Sequence, residues 1–376
     1  MIYLDYAAST PVDDEVLDKF YNVTKKYYAN PNSFHKLGHE AKDIIDNATK
    51  HIAELFNVKE NEIIYTSGAS ESNNMVIKGV LERYKNKGKH IILSSLEHNS
   101  MISAASYMQD KGFEVDLAPV NSNGLIDIGI LKSMLRDDTI LVSVCTVDSE
   151  LGLKQPIEEI GLMLKEYPNV IFHTDASQAI GKVFCDFSNV DLVTVAPHKF
   201  YGMNGISVLI KKEHVGLIPL IHGGRSTTIY RAGTPVLPLI YSVDIALTKI
   251  LEHTENNTKY VTKLHDKIIN KLNEYENVYV NSTDKSIPYT INFSIKGIKS
   301  ITVAKMFEDN DIYVSTKTSC CPLETPSKLV YALTKDKSLA MSSIRISLSH
   351  MTKEEEIDKF LDIFDKIYNE VINGKV

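Results

Sequence analysis

Short apolar segments alternate with helical patterns through most of this 376-residue chain, and this alternation limits the fold more than any other feature. The short segments are nearly continuous in apolar character, which predicts strands buried on both faces of a sheet. The strand candidates are Glu62–Thr66, His90–Ser94, Glu114–Ala118, Thr139–Thr146, Val170–Thr174, Leu192–Ala196 and Ser207–Ile210. Helical patterns lie at Asp43–Asn57, Glu71–Lys85, Ser100–Lys111, Ile128–Arg136 and Ile157–Tyr167. The alternation predicts an α/β fold with a mostly parallel, mixed sheet flanked by helices.

The pattern changes at about Val236, where long helical stretches replace the alternation. Two helices are predicted at Leu239–Asn256 and Lys259–Asn273, followed by a hairpin formed by Val278–Val280 and Tyr289–Ser294 and by a final charged helix at Lys353–Asn373. This change predicts two domains. We expect a large domain over residues 12–253 and a smaller α+β domain formed by residues 254–376 together with residues 1–11.

Composition excludes several classes of protein. Hydrophobic residues make up 43% and charged residues 24%, the balance of a soluble globular protein. The net charge of −7 without a basic stretch argues against nucleic acid and anionic membranes as partners. No apolar stretch reaches the roughly 18–20 residues that span a bilayer, and the start of the chain does not resemble a signal peptide. Four cysteines without a CxxC pair predict no metal site and a reducing, cytoplasmic location.

Two charged residues follow neighbouring strand candidates. Asp175 comes at the end of Val170–Thr174, and Lys199 comes shortly after Leu192–Ala196. The ends of strands in open α/β sheets gather ligand-binding groups. A lysine in an apolar neighbourhood is suited to a lowered pKa and to Schiff-base chemistry, and a carboxylate can keep a pyridine nitrogen protonated. A solvated loop lysine and a turn aspartate remain the alternatives for each residue alone.

Three further elements carry groups that could serve a site. The stretch from Thr66 to Ser72 is predicted to be the end of a strand, a glycine turn and the start of a helix. This pattern is typical of a phosphate-binding site and, equally, of serine side chains that only cap the helix. His98 follows another strand and is either a structural histidine or one that stacks on a ring or moves protons. Arg345 sits in an alternating strand pattern and needs a carboxylate from either the protein or a ligand.

The four cysteines divide into two groups. Cys145 and Cys185 lie in or beside apolar strands and are expected to be small buried side chains. Cys320 and Cys321 lie in a loop-like stretch with two prolines, beside Lys317. A thiol in such a place is either a reactive thiolate or an incidental exposed group.

Nine short strings resemble those of the NifS/IscS-like cysteine desulfurases of the class V, fold type I aminotransferase superfamily, and they occur in the family's order. They are YLDYAASTPVD, NPNSFHKLG, TSGASESNNMVIKG, EH (Glu97-His98), DASQAIG, HKFYG, RAGTPV, SSIRISLS and TKEEEID. Together they span essentially the whole chain, so the chain is identified as a member of this superfamily. The resemblance implies a pyridoxal 5′-phosphate enzyme that acts as a homodimer.

The resemblance also implies a role for residues that match the family's motifs. Lys199 would hold the cofactor as a Schiff base and move protons, Asp175 would pair with the ring nitrogen, and Gln178 would lie near the ring oxygen. His98 would stack over the ring. The phosphate would be held by Ala69, Ser70 and His198, with Thr234 reaching in from a second subunit.

On the substrate side, the resemblance implies that Arg345, together with Asn32, binds the carboxylate of L-cysteine. Cys320 aligns with the cysteine that takes the substrate's sulfur as a persulfide for transfer to an acceptor protein. The acceptor, whether a scaffold for iron–sulfur cluster assembly or a tRNA-thiolation enzyme, is not identified by the sequence.

The chain departs from the family's pattern at several site positions. Ser149 stands where the family has an asparagine that touches the ring oxygen and the substrate, and Ala196 replaces a serine that contributes a phosphate hydroxyl. Thr227 stands where an acidic residue is usual, and Lys317 replaces the flexible glycine before Cys320. These departures keep two alternatives open: a related lyase acting on another sulfur- or selenium-containing amino acid, and a weakly active paralogue that serves as an interaction partner.

Overall fold

The structure is a computed structural model that describes residues 1–224, 226–317 and 325–374. Its strands are β1 (Ile2–Tyr3), β2 (Ile63–Thr66), β3 (His90–Ser94), β4 (Glu114–Ala118), β5 (Thr139–Ser143), β6 (Ile171–Asp175), β7 (Leu192–Val195), β8 (Ser207–Lys211), β9 (Val278–Val280), β10 (Thr290–Ile295), β11 (Ile312–Tyr313) and β12 (Ser343–Ser347). Its helices are α1 (Asp14–Lys26), α2 (Lys36–Leu55), α3 (Ala69–Tyr84), α4 (Asn99–Gln109), α5 (Ile128–Met134), α6 (Ile157–Leu164), α7 (Leu237–Leu272), α8 (Ser300–Glu308), α9 (Lys328–Thr334), α10 (Lys337–Ser342) and α11 (Glu354–Ile372). Two short 3₁₀ turns lie at Glu60–Glu62 and Pro197–Lys199.

The largest sheet has seven strands in the order β2-β8-β7-β6-β5-β3-β4. Strand β8 runs antiparallel to both of its neighbours, β2 and β7. The pairs β7–β6, β6–β5, β5–β3 and β3–β4 are parallel. This topology confirms the predicted mostly parallel, mixed sheet.

Burial explains why these segments form the centre of the sheet. Every residue of the parallel strands β3, β5, β6 and β7 is buried, as expected for strands covered by helices on both faces, and the antiparallel β8 is fully buried as well. Because β6 and β7 are adjacent and parallel, their carboxyl ends lie side by side. Asp175 ends β6, and the chain after β7 leads directly to Lys199.

A second, antiparallel sheet has the order β12-β10-β9. The pairing of β9 with β10 confirms the predicted hairpin, and Arg345 lies opposite Asn292 in the register of β12 and β10. The start of the chain joins this region, since β1 pairs with β11 and Asp5 forms a bridge with Ser347.

Several element bounds differ from the sequence prediction. The two helices predicted over residues 239–273 are one continuous helix, α7, of 36 residues. The segment between them contains neither proline nor glycine, so nothing in its backbone interrupts the helix. Strand β5 ends at Ser143 rather than at Thr146, and α1 was not predicted. The division into residues 12–253 and the remainder stays a prediction, and α7 runs across its boundary.

Within the described ranges, no helix combines the length and the apolar character needed to cross a membrane. The same residues contain no cluster of three or more His, Cys, Asp or Glu side chains arranged to hold a metal ion.

Candidate active site

A cavity of about 460 Å³ lies where β6 and β7 end. Nine of the residues that the sequence assigned to a site line this cavity: Ala69, Ser70, His98, Ser149, Asp175, Gln178, His198, Lys199 and Arg345. These residues are far apart in sequence. The fold therefore brings the predicted groups to one place.

Lys199 is placed by the turn that follows β7. Pro197 begins the 3₁₀ turn, where its fixed φ and missing N–H are tolerated. The turn is tight, since a Cβ on Gly202 would lie 2.6 Å from the Cβ of Pro197. The Lys199 Nζ donates hydrogen bonds to the carbonyl oxygens of Ala7 at 2.8 Å and Ala8 at 2.7 Å. The amine is thus held at the cavity wall by the N-terminal segment.

Asp175 lines the same cavity as Lys199, and both of its carboxylate oxygens accept hydrogen bonds. The Asn73 Nδ2 donates to Oδ2 at 2.8 Å, and the Ser177 backbone N–H donates to Oδ1 at 3.0 Å. Asn73 is fully buried on α3, and the sequence reasoning did not assign it. Its signal is its place directly after the Thr66–Ser72 stretch, on the first turns of the predicted helix Glu71–Lys85.

The amino end of α3 opens onto the cavity. The helix begins at Ala69 after an N-cap glycine, Gly68, which offers no side-chain cap. The Ser67 hydroxyl and N–H both donate to the Glu71 carboxylate, at 2.6 Å and 2.7 Å, so Ser67 does not cap the helix. A helix start of this kind presents backbone N–H groups and a partial positive charge to an anion. The geometry favours the phosphate interpretation of this stretch over simple capping.

Glu71 ties this helix start to the segment that contains Arg231. The Arg231 Nε donates to the Glu71 Oε1 at 3.1 Å. Burial raises the pKa of Glu71, but hydrogen bonds from Ser67 and Arg231 outweigh it, so that the pKa lies below its ordinary value. The ionised carboxylate therefore anchors Arg231 beside α3.

Two histidines line the cavity, and the pKa of each is lowered, so both rings are neutral at neutral pH. His98 is the N-cap of α4, and its Nδ1 accepts a hydrogen bond from the Ser100 N–H at 3.2 Å. Burial lowers the pKa of His98, and the charge of Lys199 adds to this effect. Burial and the neighbouring Lys199 lower the pKa of His198 to about 4. At neutral pH each ring can both donate and accept hydrogen bonds.

Arg345 reaches the cavity from β12. It is 1% exposed, and its guanidinium donates from Nη1 to the Ser149 carbonyl at 2.7 Å and from Nη2 to the Asp5 Oδ1 at 2.6 Å. Its buried Nε has no hydrogen-bond partner among the described residues. Of the two sources of a carboxylate that the sequence left open, the protein supplies one, Asp5. The unused Nε leaves capacity for a second partner.

Behind the cavity wall lies Glu97, a buried carboxyl that the sequence reasoning assigned no role. Its Oε1 accepts a hydrogen bond from the Cys145 N–H at 2.7 Å, while its Oε2 has no partner among the described residues. Burial and the charge of Asp175 raise the pKa of Glu97 to about 8. Cys145 is buried as expected, and it lines the cavity; Cys185 is only partly buried.

Among the described residues, two of the assigned ones, Asn32 and Thr234, are not brought to this cavity. Asn32 is exposed in the turn before α2 and is not among the lining residues. Thr234 lines a separate cavity of about 130 Å³ together with Thr227 and Arg231. Cys320 lies outside the described residues, as does Cys321.

Comparisons with known proteins agree with this geometry. The sequence profile of the family "Aminotransferase class-V" matches residues 2–360. The cysteine desulfurase IscS of Glaesserella parasuis is 39% identical over 376 residues, covering 97% of this chain and 92% of that protein. A solved NifS-like protein aligns with a TM-score of 0.92 at 31% identity, covering 98% of this chain and 99% of that one.

This chain belongs to the class-V aminotransferase family. Within the family, it groups with the cysteine desulfurases of the IscS and NifS type, which confirms the resemblance drawn from the nine strings. The solved structure of SspA in complex with cysteine also aligns, with a TM-score of 0.82 at 31% identity and coverage of 93% and 99%. Fold type I, with its α/β architecture, is likewise confirmed.

Proposed function

We propose that this protein is a cysteine desulfurase that removes sulfur from L-cysteine, releases L-alanine, and receives the sulfur on Cys320 as a persulfide. One observation carries the proposal: Lys199, Asp175 and Arg345, from three different elements, line one cavity at the carboxyl edge of the sheet. The relationship to cysteine desulfurases over nearly the whole chain supports the same activity.

The residues present fit pyridoxal 5′-phosphate. The uncapped start of α3 suits the phosphate, and the buried Ser177 hydroxyl in the cavity wall has no partner among the described residues. We assign the phosphate to Ala69, Ser70 and His198, and the ring to Asp175, Gln178, His98 and Ser149. When bound, this cofactor draws electrons from the carbon atoms of an attached amino acid.

The residues of the chain divide the remaining tasks. The Lys199 amine would hold the cofactor covalently and would move a proton at the substrate's α-carbon, since Lys199 lines the cavity and its Nζ is held there by the N-terminal segment. Asp175 holds a proton on the ring nitrogen, and Asn73 fixes the carboxylate for that contact. His98 lines the cavity where the ring would sit, and its neutral imidazole would donate or accept a proton there.

Arg345 binds the substrate carboxylate, and its unpartnered Nε is the group that supports this assignment. Asn32 would assist, but it must approach from outside the cavity. The Cys320 thiolate attacks the substrate sulfur and forms an S–S bond while the carbon–sulfur bond breaks. The electron pair of the broken bond stays on the β-carbon side, and a proton taken up there completes L-alanine.

We also propose a homodimer. Thr234 does not line the active-site cavity of its own chain. The ion pair of Arg231 with Glu71 holds the segment just before Thr234 beside the start of α3. A second copy could therefore supply the phosphate contact that Thr234 does not make within its own chain. The acceptor would be a protein that docks near Cys320, and a reactive thiol suits a reducing compartment such as the cytoplasm.

The test is sulfide release from L-cysteine in the presence of a reductant, compared among the wild type, Cys320→Ala and Cys321→Ala. We expect Cys320→Ala to lose sulfide release and Cys321→Ala, the matched control, to retain it. Full activity in Cys320→Ala would instead indicate a lyase that does not use this cysteine. A wild-type protein without the visible absorption band of a lysine-bound cofactor would exclude every enzymatic proposal.

A further inference from the structure

A second lysine, Lys182, is buried close to the cavity. It is 8% exposed and follows Gly181 in the turn after β6. Gly181 has a φ of +72°, and a Cβ at this position would lie 2.2 Å from the Cγ1 of Ile250. The glycine thus allows the turn to pack directly against α7. This tight packing carries the Lys182 side chain into the interior instead of into solvent.

The surroundings of Lys182 are unfavourable for a charge. Within the described ranges its ammonium makes no ion pair, and its hydrogen bond goes to the Gln178 Oε1 at 2.8 Å. Burial lowers the pKa of Lys182 to about 7, and the positive charges of Lys199 and Arg345 contribute in the same direction. An apolar side chain of similar length would avoid this cost. A lysine at this position therefore lowers the stability of the folded chain, and packing alone does not explain its presence.

Gln178 is the partner that gives Lys182 a role. Its Nε2 donates a hydrogen bond to the Ala7 carbonyl oxygen at 2.8 Å, the same oxygen that accepts from the Lys199 Nζ at 2.8 Å. The Ala7 carbonyl oxygen only accepts, and the Lys182 Nζ donates in its hydrogen bond to Oε1, so the two contacts agree on one orientation of the amide. With Oε1 held by Lys182, Gln178 keeps Nε2 on the side of Ala7 and Lys199.

We propose that Lys182 is a positioning residue that acts through Gln178. By donating a hydrogen bond to Oε1, Lys182 fixes the amide so that its Nε2 donor, rather than its Oε1 acceptor, lies beside Lys199. The inference rests on the proposed cofactor site, where a donor suits the ring oxygen that Gln178 would meet. If the amide were turned the other way, the Gln178 Oε1 would face the Ala7 carbonyl oxygen and the ring oxygen, and no hydrogen bond would form with either.

The test measures binding of pyridoxal 5′-phosphate to the apo-protein, together with the position of the visible absorption maximum. Lys182→Met keeps the length of the side chain and removes the hydrogen bond. We expect the Kd to rise about tenfold and the absorption maximum to shift, while the thermal midpoint of the apo-protein does not fall. Lys165→Met, which removes an exposed lysine outside the cavity, serves as the matched control and should leave all three unchanged.

A double-mutant cycle with Gln178→Ala tests whether Lys182 acts through that residue. The double variant should bind the cofactor no more weakly than Gln178→Ala alone, and Lys182→Arg should recover part of the affinity. Lys182→Leu replaces Lys182→Met if the latter does not fold. A Lys182→Met protein with the wild-type Kd and spectrum, or two effects that multiply in the double variant, would overturn the inference. A wild type that binds no cofactor would instead refute the proposed function.

Discussion

The two ends of the cavity are built in different ways. At the ring end, Asp175 is the last residue of β6 and Lys199 lies in the turn after β7, so two adjacent parallel strands set their separation. Backbone carbonyls of the N-terminal segment and the buried Asn73 then fix the side chains. The positions at this end follow directly from the sheet.

At the substrate end, the group assigned to the substrate that lies in the cavity is a single long side chain, Arg345. Arg345 extends from the second sheet and is held by Asp5 and by the Ser149 carbonyl, which belong to two other segments. Of the two further groups assigned to this end, Asn32 is exposed outside the cavity, and Cys320 lies outside the described residues.

The comparison indicates that cofactor binding and substrate binding can be altered separately. Changes at the ring end should affect the cofactor's affinity and spectrum, since Asp175 and Lys199 lie at the carboxyl edge of the sheet where the ring would bind. Changes at the substrate end should alter the KM for cysteine and leave cofactor binding nearly intact.

The largest effect is expected from Lys199→Ala at the ring end. The variant should show no visible band after addition of pyridoxal 5′-phosphate, because the attaching amine is gone. Sulfide release should fall at least about a thousandfold. Spectra and sulfide assays check this, with Lys165→Ala as the surface control. A wild-type band in Lys199→Ala would show that another amine holds the cofactor.

A smaller effect is expected from Arg345→Gln at the substrate end. Loss of the charge-assisted contact should raise the KM for L-cysteine about 30-fold, while the Kd for the cofactor changes less than about threefold. Steady-state kinetics and cofactor titration measure the two constants. Since Arg345→Gln also leaves Asp5 unpaired, Arg345→Gln with Asp5→Asn is the control, and it should not restore the KM. A loss of cofactor affinity would mean that the two ends are not separable.

The difference between the two ends also explains what could be predicted from the sequence. Periodic apolar patterns reveal buried strands, and in a parallel sheet their carboxyl ends share one edge, so Asp175 and Lys199 could be placed together. The pairing of Asp5 with Arg345 joins residues 340 positions apart, and no local pattern encodes it. This ion pair exists only in the folded chain, where the second sheet contacts the N-terminal segment.

The residues that the sequence reasoning missed have a common cause. Asn73, Glu97 and Lys182 are polar residues whose burial depends on how helices and turns pack, and polar residues are ordinarily exposed. The prediction of two helices where α7 is continuous concerns a similar place, since the residues around the predicted break are polar. Neither departure affects the order of strands in the large sheet.

Acid pH should distinguish the two ends in the stability of the apo-protein. At the ring end, the pKa of His198 is lowered from 6.5 to about 4, so between these pH values the unfolded chain binds a proton that the folded chain does not. Its contribution to stability is therefore present above pH 6.5 and is lost as the pH falls towards 4. Asp148 lines the same cavity next to Ser149, whose carbonyl oxygen holds Arg345, and burial raises the pKa of this carboxyl from 3.8 to about 6. The folded chain then binds the extra proton, and this contribution to stability is lost as the pH rises from 3.8 to 6.

The two groups thus have opposite effects over the same pH range, and urea unfolding between pH 7 and pH 4.5 measures their sum. His198→Gln should make stability fall less steeply on acidification, because the group that loses stability is removed. Asp148→Asn should make it fall more steeply, because the carboxyl that gains a proton in the folded state is removed while one side-chain acceptor for the Glu150 and Leu151 N–H groups remains. Only the slope against pH is diagnostic, since both substitutions also change hydrogen bonds. Equal slopes in the wild type and both variants would show that neither group titrates differently in the folded chain.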